Sequence, residues 1–370
     1  MKIVIDARCV SRKMHGIARY TLNLILHLTR IDTKSSYYIL HTKDVSPALF
    51  GEKGNLIPVL VNLKLYSVSE QFMLPSILRK INPDIYHSPT FSAPVCQPCP
   101  VVMTIHDMIH LSHKTALSFF YRVYYLLCVK KAATKARKVI TVSEFSKKEI
   151  SRLLKLPEKK IAVTYNGISE AFYKKELPSE KQTQLNPGYW LFIGNEKPHK
   201  NVTTLLKAYT LARERSESTP PLVLGGVSKN FLLENLGPSI FTHVIPLTIK
   251  SDDELVSAYK NASLFIAPSI LEGFGFPVLE AMASETPVIT SDIPVIREVV
   301  GEDAAIFVDP LSCNSLSEAM VRVNGDNALK LRMKKSGLER ARLFRWEKAA
   351  TQTLEVYHEA LNLQKGVCPC

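Results

Sequence analysis

The fold is decided by the stretch from residue 264 to residue 282, which is Leu264-Phe-Ile-Ala-Pro-Ser-Ile-Leu-Glu-Gly-Phe-Gly-Phe-Pro-Val-Leu-Glu-Ala-Met282. Its apolar start predicts a buried strand, and its middle predicts a loop with one carboxylate and two glycines. Pro277 then stands where a proline is best tolerated, in the first turn of a helix. A strand, a loop and a helix in this order indicate an open α/β sheet, in which ligands bind beyond the carboxyl ends of the strands.

The loop and the start of that helix have the chemistry of an anion site. Gly273 and Gly275 let a ligand approach the backbone closely. The amides of Val278 and Leu279 are expected to point out of the helix N-terminus, where they and the helix dipole favour a diphosphate.

Two acids, Glu272 and Glu280, stand at the two ends of this segment. They are too far apart in sequence to be neighbours on one helix face, so we expect them to bracket a ligand that lies along the loop. Carboxylates are good acceptors for paired hydroxyl groups, so one could hold a sugar and the other a ribose. The alternative is a plain strand, turn and helix whose acids only favour the helix N-terminus.

Elsewhere the chain alternates short apolar runs with helical patterns, which predicts parallel, doubly wound sheets. The other predicted strands are Ile3–Ile5, Tyr37–Leu40, Ile57–Leu63, Asp84–Tyr86, Val101–Ile105, Val139–Val142, Ile161–Thr164, Tyr189–Ile193, Pro221–Leu224, His243–Leu247, Pro287–Thr290 and Ile306–Val308. A predicted helix at Asp252–Asn261 opens with two aspartates, which we interpret as its N-cap.

Two α/β units in series are predicted. The 370 residues exceed what one hydrophobic core usually supports, and the strand–helix pattern restarts after a polar, proline-containing stretch at 173–188. We predict a first domain at 1–175 and a second at 188–345, with a C-terminal helix at 346–364 that could pack back on the first.

Composition limits the function only broadly. The formal net charge of +13 attracts nucleic acid, acidic lipid surfaces or phosphate-bearing ligands alike. The cysteines are seven in number and lack the spacing of a structural zinc site, so we expect free thiols and no metal. No apolar run approaches the roughly 20 residues that span a bilayer. Asp6 comes too early for a signal peptide, and we expect a cytoplasmic protein.

The stretch from Glu272 to Glu280 closely resembles the E-x7-E signature of glycosyltransferase family 4, a retaining family with the GT-B fold. Four further segments resemble family motifs, and together they extend the likeness over most of the chain. These segments are Gly16-Ile-Ala-Arg-Tyr20, Ser143-Glu-Phe-Ser146, Asn166-Gly-Ile168 and Gly194-Asn-Glu-Lys-Pro-His-Lys-Asn201. The resemblance implies two Rossmann-like doubly wound domains with the active site in the cleft between them.

The resemblance also implies roles for single residues. Glu280 would hold the ribose hydroxyls of the nucleotide, and Glu272 would line the donor-sugar site. The backbone of Gly273, Phe274 and Gly275 would touch sugar hydroxyls. Lys200 would offset the diphosphate charge, which grows as the nucleotide leaves.

One position departs from the family pattern. Many members have an arginine just after the glycine of that strand end, where this chain has Asn195. Lys197 is the candidate for the missing second cation of the phosphate site. The alternative is that Lys197 and Lys200 are exposed lysines at the entry to a helix.

Two further candidates lie in the first half of the chain. His106 follows an apolar strand, at the edge where ligands bind, and the matching histidine of the family touches the donor sugar; the alternative is a buried structural histidine. Gly16 directly follows a basic loop, residues 9–15. This loop resembles the family loop that closes over the diphosphate. The spacing there is not that of a dinucleotide motif.

The stretch Phe119–Lys138 is rich in aromatic residues and then in lysine and arginine. It could lie on an anionic membrane, since many family members use lipid-linked acceptors. An equally weighted alternative is a core helix with a solvated basic end.

The expected reaction is transfer of a hexose with retention at the anomeric carbon, without a metal or another cofactor. The Gly-Ile-Ala-Arg-Tyr and Pro-His-Lys-Asn segments look most like those of bacterial mannosyltransferases of surface polysaccharide synthesis, and this resemblance makes GDP-mannose the favoured donor and UDP-glucose the next. The expected acceptor is a glycan or a lipid-linked glycan, and no nucleic-acid module is recognised. The alternatives are a nucleotide-sugar epimerase or glycan phosphorylase of the same fold, and a non-enzymatic basic protein that binds nucleic acid or membranes.

Overall fold

The computed structural model describes residues 1–11, 16–112, 125–174, 185–236 and 242–365. The chain forms two compact units. The first unit consists of Met1–Gly167 together with Arg345–Cys370, and the second is Ile168–Phe344. The division falls after Gly167 rather than near residue 175, and the C-terminal helix is part of the first unit.

The first unit contains a seven-stranded sheet in which every neighbouring pair is parallel. Its strands are β1 (Lys2–Asp6), β2 (Ser36–His41), β3 (Leu56–Leu60), β4 (Ile85–Ser88), β5 (Val101–Thr104), β6 (Lys138–Thr141) and β7 (Ile161–Val163). The order is β3-β2-β1-β4-β5-β6-β7. The direction of winding reverses between β1 and β4, which makes their carboxyl ends the switch point where ligands bind in such sheets.

Helices of the first unit connect these strands. They are α1 (Gly16–Ile31), α2 (Glu70–Ile81), α3 (Ile109–Ser112), α4 (Lys130–Lys135, preceded by a π-helical turn at Tyr125–Val129) and α5 (Glu144–Leu154). The hydroxyl of Ser143 accepts a hydrogen bond from the amide of Ser146 and caps α5, so the family-like Ser-Glu-Phe-Ser segment serves as a helix start. Buried residues such as Val4, Tyr86 and Met103 form the core.

The second unit repeats the plan with six parallel strands. They are β8 (Trp190–Ile193), β9 (Leu222–Gly225), β10 (Val244–Leu247), β11 (Leu264–Ala267), β12 (Val288–Ser291) and β13 (Ile306–Val308). The order β10-β9-β8-β11-β12-β13 places the second switch point between β8 and β11. The prediction of two doubly wound parallel sheets is confirmed.

The helices of the second unit cover both faces of its sheet. They are α6 (Val202–Arg215), α7 (Lys229–Leu236), α8 (Asp252–Asn261), α9 (Phe276–Ala283), α10 (Pro294–Val300), α11 (Cys313–Gly325) and α12 (Asn327–Ala341). The predicted aspartate N-cap of α8 is wrong. The cap is Ser251, whose hydroxyl accepts from the amide of Glu254, and the aspartates occupy the first turn, where the helix dipole favours them.

The last helix, α13 (Trp346–Lys365), packs against α1 in the first unit. The chain returns beside Gly167, where an added Cβ would lie 2.2 Å from the backbone nitrogen of Trp346. Only glycine fits such a close backbone approach. Deeper in the unit, the Tyr357 hydroxyl lies 2.6 Å from Nδ1 of His87 on β4.

Within the described residues, no helix is both long and apolar enough to cross a bilayer. Of the stretch Phe119–Lys138, residues 119–124 lie outside the described residues, as do residues 12–15 of the basic loop before Gly16.

Candidate active site

The predicted donor site lies at the switch point of the second unit, where β8 and β11 are neighbours. The loops that follow these two strands are joined by backbone and side-chain hydrogen bonds. The amide of Ile270 donates to the carbonyl of His199 over 2.8 Å. The side-chain amide of Asn201 donates to the carbonyls of Pro268, over 3.0 Å, and Pro310, over 2.6 Å. Asn201 thus connects the loops that follow β8, β11 and β13 by hydrogen bonds. Its sequence motif alone did not reveal this role.

Lys200 and Glu272 meet at this point. The Lys200 ammonium donates to Oε1 of Glu272 over 2.6 Å, and the two side chains are 15% and 14% exposed. Two of the predicted catalytic residues, 72 positions apart, are therefore in direct contact. The geometry places a cation and a carboxylate side by side at the ligand-binding edge of the sheet.

Asn195 and Lys197 lie in the loop after β8, and both are exposed. The side-chain oxygen of Asn195 accepts from the amide of Lys197 over 3.1 Å, which fixes the turn. In the described part of the chain the Lys197 ammonium has no ion-pair partner. Its service as a second phosphate cation stays a prediction.

The glycine loop after β11 is buried at Gly273, Phe274 and Gly275. Gly275 has a φ of +97°, and an added Cβ would lie 2.7 Å from the side chain of Ile296, so this position requires glycine. The Phe274 ring packs edge-on against Phe276 and Phe344. The Phe274 side chain therefore belongs to the core of the unit, and a contact between its backbone and a sugar stays a prediction.

The helix start differs from the expectation in one respect. The amides of Val278 and Leu279 both donate to the carbonyl of Gly275, over 3.1 and 3.3 Å. They form the first turn of α9 and do not point out of the helix. The reason is their position: α9 begins at Phe276, so Val278 and Leu279 are its third and fourth residues, whose amides reach the carbonyl of the N-cap residue Gly275.

Glu280 is buried, with 6% of its surface exposed. The hydroxyl of Tyr259, on α8, donates to Oε2 of Glu280 over 3.0 Å. The Tyr259 ring packs edge-on against Phe172 and Phe265, so its position is fixed. Sequence reasoning missed Tyr259, because nothing in its own segment marks it as a partner of this acid.

In the first unit, His106 follows β5 and its Nε2 lies 3.0 Å from the carbonyl of Pro89. A carbonyl can only accept, so Nε2 has the proton. Burial lowers the pKa of His106 below its ordinary value, which favours the neutral ring. Nδ1 is then a hydrogen-bond acceptor, and it has no partner in the described part of the chain. The ring of Tyr20 meets the His106 ring edge-on at 4.6 Å.

Gly16 begins α1 and is exposed. Among the described residues, an added Cβ would meet nothing within 4 Å, so none of them requires a glycine there. A contact between Gly16 and a diphosphate stays a prediction.

A buried polar chain lies behind His106. The Thr104 hydroxyl is 2.8 Å from Nε2 of His87 and 3.2 Å from the Tyr20 hydroxyl. Burial lowers the pKa of His87 to about 3. His87 is therefore a neutral structural histidine that joins α13 to β4 and β5.

The described residues contain no cluster of three or more histidine, cysteine or carboxylate side chains that could hold a metal ion. The cysteines Cys9, Cys96, Cys99, Cys128 and Cys313 are free thiols.

Two family models match the chain, and together they span most of it. Residues 14–172 match the model described as "Glycosyltransferase Family 4". Residues 174–340 match the model described as "Glycosyl transferases group 1". Their junction falls near the division between the two units.

Two relatives with curated names are mannosyltransferases. The O-antigen chain mannosyltransferase B of Escherichia coli is 29% identical over 96% of this chain and 99% of its own length. The O-antigen chain mannosyltransferase RfbU of Salmonella typhimurium is 31% identical over 56% of each chain.

A solved structure shares the fold. The Anabaena protein HepE, crystallised in complex with UDP and glucose, is 19% identical and superimposes with a TM-score of 0.74 over 97% of this chain and 99% of its own. The matched models, the two parallel sheets and this likeness lead to one conclusion: the chain belongs to glycosyltransferase family 4 and has the GT-B fold.

Proposed function

We propose that this protein is a retaining mannosyltransferase that uses GDP-mannose and extends a glycan or lipid-linked glycan in bacterial surface polysaccharide synthesis. The observation that supports it most is the Lys200–Glu272 pair at the β8/β11 switch point, since a cation and a sugar-binding acid are needed together where a nucleotide sugar is cleaved. The O-antigen mannosyltransferases among the relatives favour mannose.

The chemistry follows from the charges. When the bond between the anomeric carbon and the diphosphate breaks, negative charge grows on the leaving phosphate oxygen. Lys200 would stabilise that charge, and such preorganised stabilisation is commonly the largest contribution to catalysis. Glu280 would accept hydrogen bonds from the ribose hydroxyls, and Glu272 from the donor sugar.

Retention requires the acceptor oxygen to arrive on the face from which the diphosphate leaves. In the proposed reaction the departing phosphate oxygen takes the proton of the acceptor hydroxyl as the new bond forms. No pair of catalytic carboxylates of the kind used by glycoside hydrolases is then needed. Nδ1 of His106 would accept a hydrogen bond from a donor-sugar hydroxyl, as its protonation at Nε2 allows.

The test is a donor screen with calorimetry and product analysis. GDP should bind, GDP-mannose should yield an α-linked product, and Glu280→Ala should weaken GDP binding. UDP and UDP-glucose form the comparison arm, because HepE was crystallised with UDP and glucose. If the native protein binds neither GDP nor UDP, the proposal fails. Metal independence is part of the proposal, and loss of activity in a chelator that only a divalent ion restores would contradict it.

A further inference from the structure

Three charged side chains are buried together at the carboxyl end of β1, and the reaction above uses none of them. The guanidinium of Arg8 donates to Asp6 over 2.7 Å through Nε and to Glu70 over 2.6 Å through Nη2. All three side chains are at most 1% exposed. Burying charges is costly even when they are paired, so the question is what this network holds in place.

The second oxygen of Glu70 holds two loops. Oε2 accepts from the backbone amide of Tyr66 and from the hydroxyl of Ser92, each over 2.9 Å. Tyr66 lies in the loop after β3, and Ser92 lies in the loop after β4. The network therefore fixes these loops to each other at one edge of the first sheet.

Tyr66 is held in an uncommon conformation. Its φ is +61°, in the left-handed region that a bulky side chain rarely adopts. Such strain persists only where the surroundings impose it, and it is concentrated at functional sites. Here the result is an ordered pair of rings: Tyr66 stacks on Phe91 with centroids 4.8 Å apart and ring planes 18° apart.

One face of the Tyr66 ring is covered by Phe91, yet 36% of the residue stays exposed. The stacked ring pair is therefore partly exposed to solvent, at the carboxyl edge of the sheet. Phe91 follows Pro89 by two residues, and the Pro89 carbonyl is the hydrogen-bond partner of His106. Phe91 and the carbonyl that binds the predicted sugar-contacting histidine thus belong to the same short loop after β4.

We propose that Tyr66, backed by Phe91, is a stacking platform for a hexose ring of the acceptor glycan, and that the Asp6–Arg8–Glu70 network positions it. This inference rests on the proposed function, since it names the site of the second substrate. The face of an aromatic ring has negative charge density, and the C–H groups on one face of a hexose match it in polarity and shape.

A rigid ring suits a sugar better than it suits a lipid surface. Acyl chains are fluid and need no fixed ring orientation, so the backbone strain at Tyr66 would serve no purpose there. A ring-shaped ligand gains from a platform that is already oriented, because less conformational freedom is lost on binding. The nearby exposed Phe72, 74% exposed on α2, offers the contrast, since it has no ring partner in the described part of the chain.

The left-handed backbone conformation at Tyr66 decides which substitutions can test the proposal. Tyr66→Asn removes the ring and keeps a residue that tolerates the left-handed conformation, so the fold is retained. Tyr66→Phe keeps the ring and removes the hydroxyl. Phe72→Asn is the matched control, because it removes a more exposed ring from the adjoining helix.

The first measurement needs no donor. Saturation-transfer NMR with a soluble α-linked mannotriose should show transfer to the C–H protons of one sugar face for the native protein, Tyr66→Phe and Phe72→Asn, and should lose it for Tyr66→Asn. Absence of transfer in the native protein, or equal transfer in Tyr66→Asn, overturns the platform. This arm is independent of the donor, so it can stand even if neither GDP nor UDP binds and the proposed function fails.

The second measurement separates acceptor binding from chemistry. With GDP-mannose, Tyr66→Asn should raise the KM for mannotriose about tenfold, the loss of one stacking contact. GDP release to water without acceptor should stay within about twofold of native. If Tyr66→Asn slows GDP release to water as much as it slows transfer to mannotriose, the ring has a structural role only. Unchanged KM with weaker sedimentation on phosphatidylglycerol vesicles would show that the ring serves a membrane, and either result overturns the proposal.

Discussion

The ammonium of Lys200 lies 2.6 Å from a carboxylate oxygen of Glu272, so the two charged groups predicted to act on the donor are bonded to each other. A bound donor has to share or replace this ion pair. Lys200 would turn toward the diphosphate as Glu272 turns toward the sugar hydroxyls. This exchange predicts that a substitution of Glu272 lowers turnover without lowering the affinity for the nucleotide.

Glu272→Gln should lower turnover about a hundredfold, because a charged contact to the reacting sugar is lost. GDP affinity should stay the same or increase, since Lys200 is no longer neutralised by the acid. Calorimetry with GDP and initial rates with GDP-mannose measure the two effects. If GDP affinity falls and turnover does not, the roles assigned to Glu272 and Glu280 are exchanged.

Tyr259→Phe should weaken GDP binding by about 1 kcal/mol, the usual contribution of one hydrogen bond, because Glu280 loses the hydroxyl that orients it. The comparison that isolates the cause is 2′-deoxy-GDP or 3′-deoxy-GDP. The native protein should discriminate against at least one of them, and the variant should discriminate less. Equal discrimination in both proteins would mean that Tyr259 does not act through the ribose-binding acid.

Arg8→Met should destabilise the first unit by about 3–5 kcal/mol, because it leaves two buried carboxylates without their cation. Arg297→Met is the control within the same chain. Arg297 also pairs with two acids, Asp292 and Glu302, but these groups are substantially exposed, so its loss should destabilise the protein much less than the loss of Arg8. Urea unfolding monitored by fluorescence compares them, and equal effects would contradict the buried network as a source of stability.

The buried His87 predicts a pH dependence of stability. Its pKa is about 3 in the folded protein and about 6.5 in an unfolded chain. Below pH 6.5 the unfolded chain takes up a proton that the folded protein refuses until about pH 3, so stability falls as the pH falls through this window. The contribution approaches about 1.4 kcal/mol per pH unit.

His87→Gln should remove that part of the slope in urea titrations between pH 6 and pH 4, whatever its effect at pH 7. The control is His358→Gln, on the same C-terminal helix as Tyr357 but exposed, and it should leave the slope unchanged. An unaltered slope in His87→Gln would show that other groups cause the acid sensitivity.

The elements that sequence predicts best here are those whose signals are local. Strand β11 and helix α9 follow from an apolar run and from Pro277, and the structure has a strand and a helix at these places. The Ser251 cap was misassigned because serine and aspartate are both good caps, and only the hydrogen bond distinguishes them.

The contacts between distant segments could not be predicted in the same way. Lys200 meets Glu272 only because β8 and β11 are neighbours in the sheet, and strand order is not written in any local pattern. The same holds for Tyr259 beside Glu280. The prediction for the amides of Val278 and Leu279 was wrong because the helix begins at Phe276, one residue before Pro277, and the Gly275 carbonyl accepts from both amides.

Helix α13 belongs to the first unit although the whole second unit precedes it in the chain. A ribosome therefore completes residues 168–344 before it makes the helix that covers α1. Until then His87 lacks the Tyr357 hydroxyl, and part of the first core is open to water. The unit that is synthesised first can therefore complete its core only after the second unit has been made.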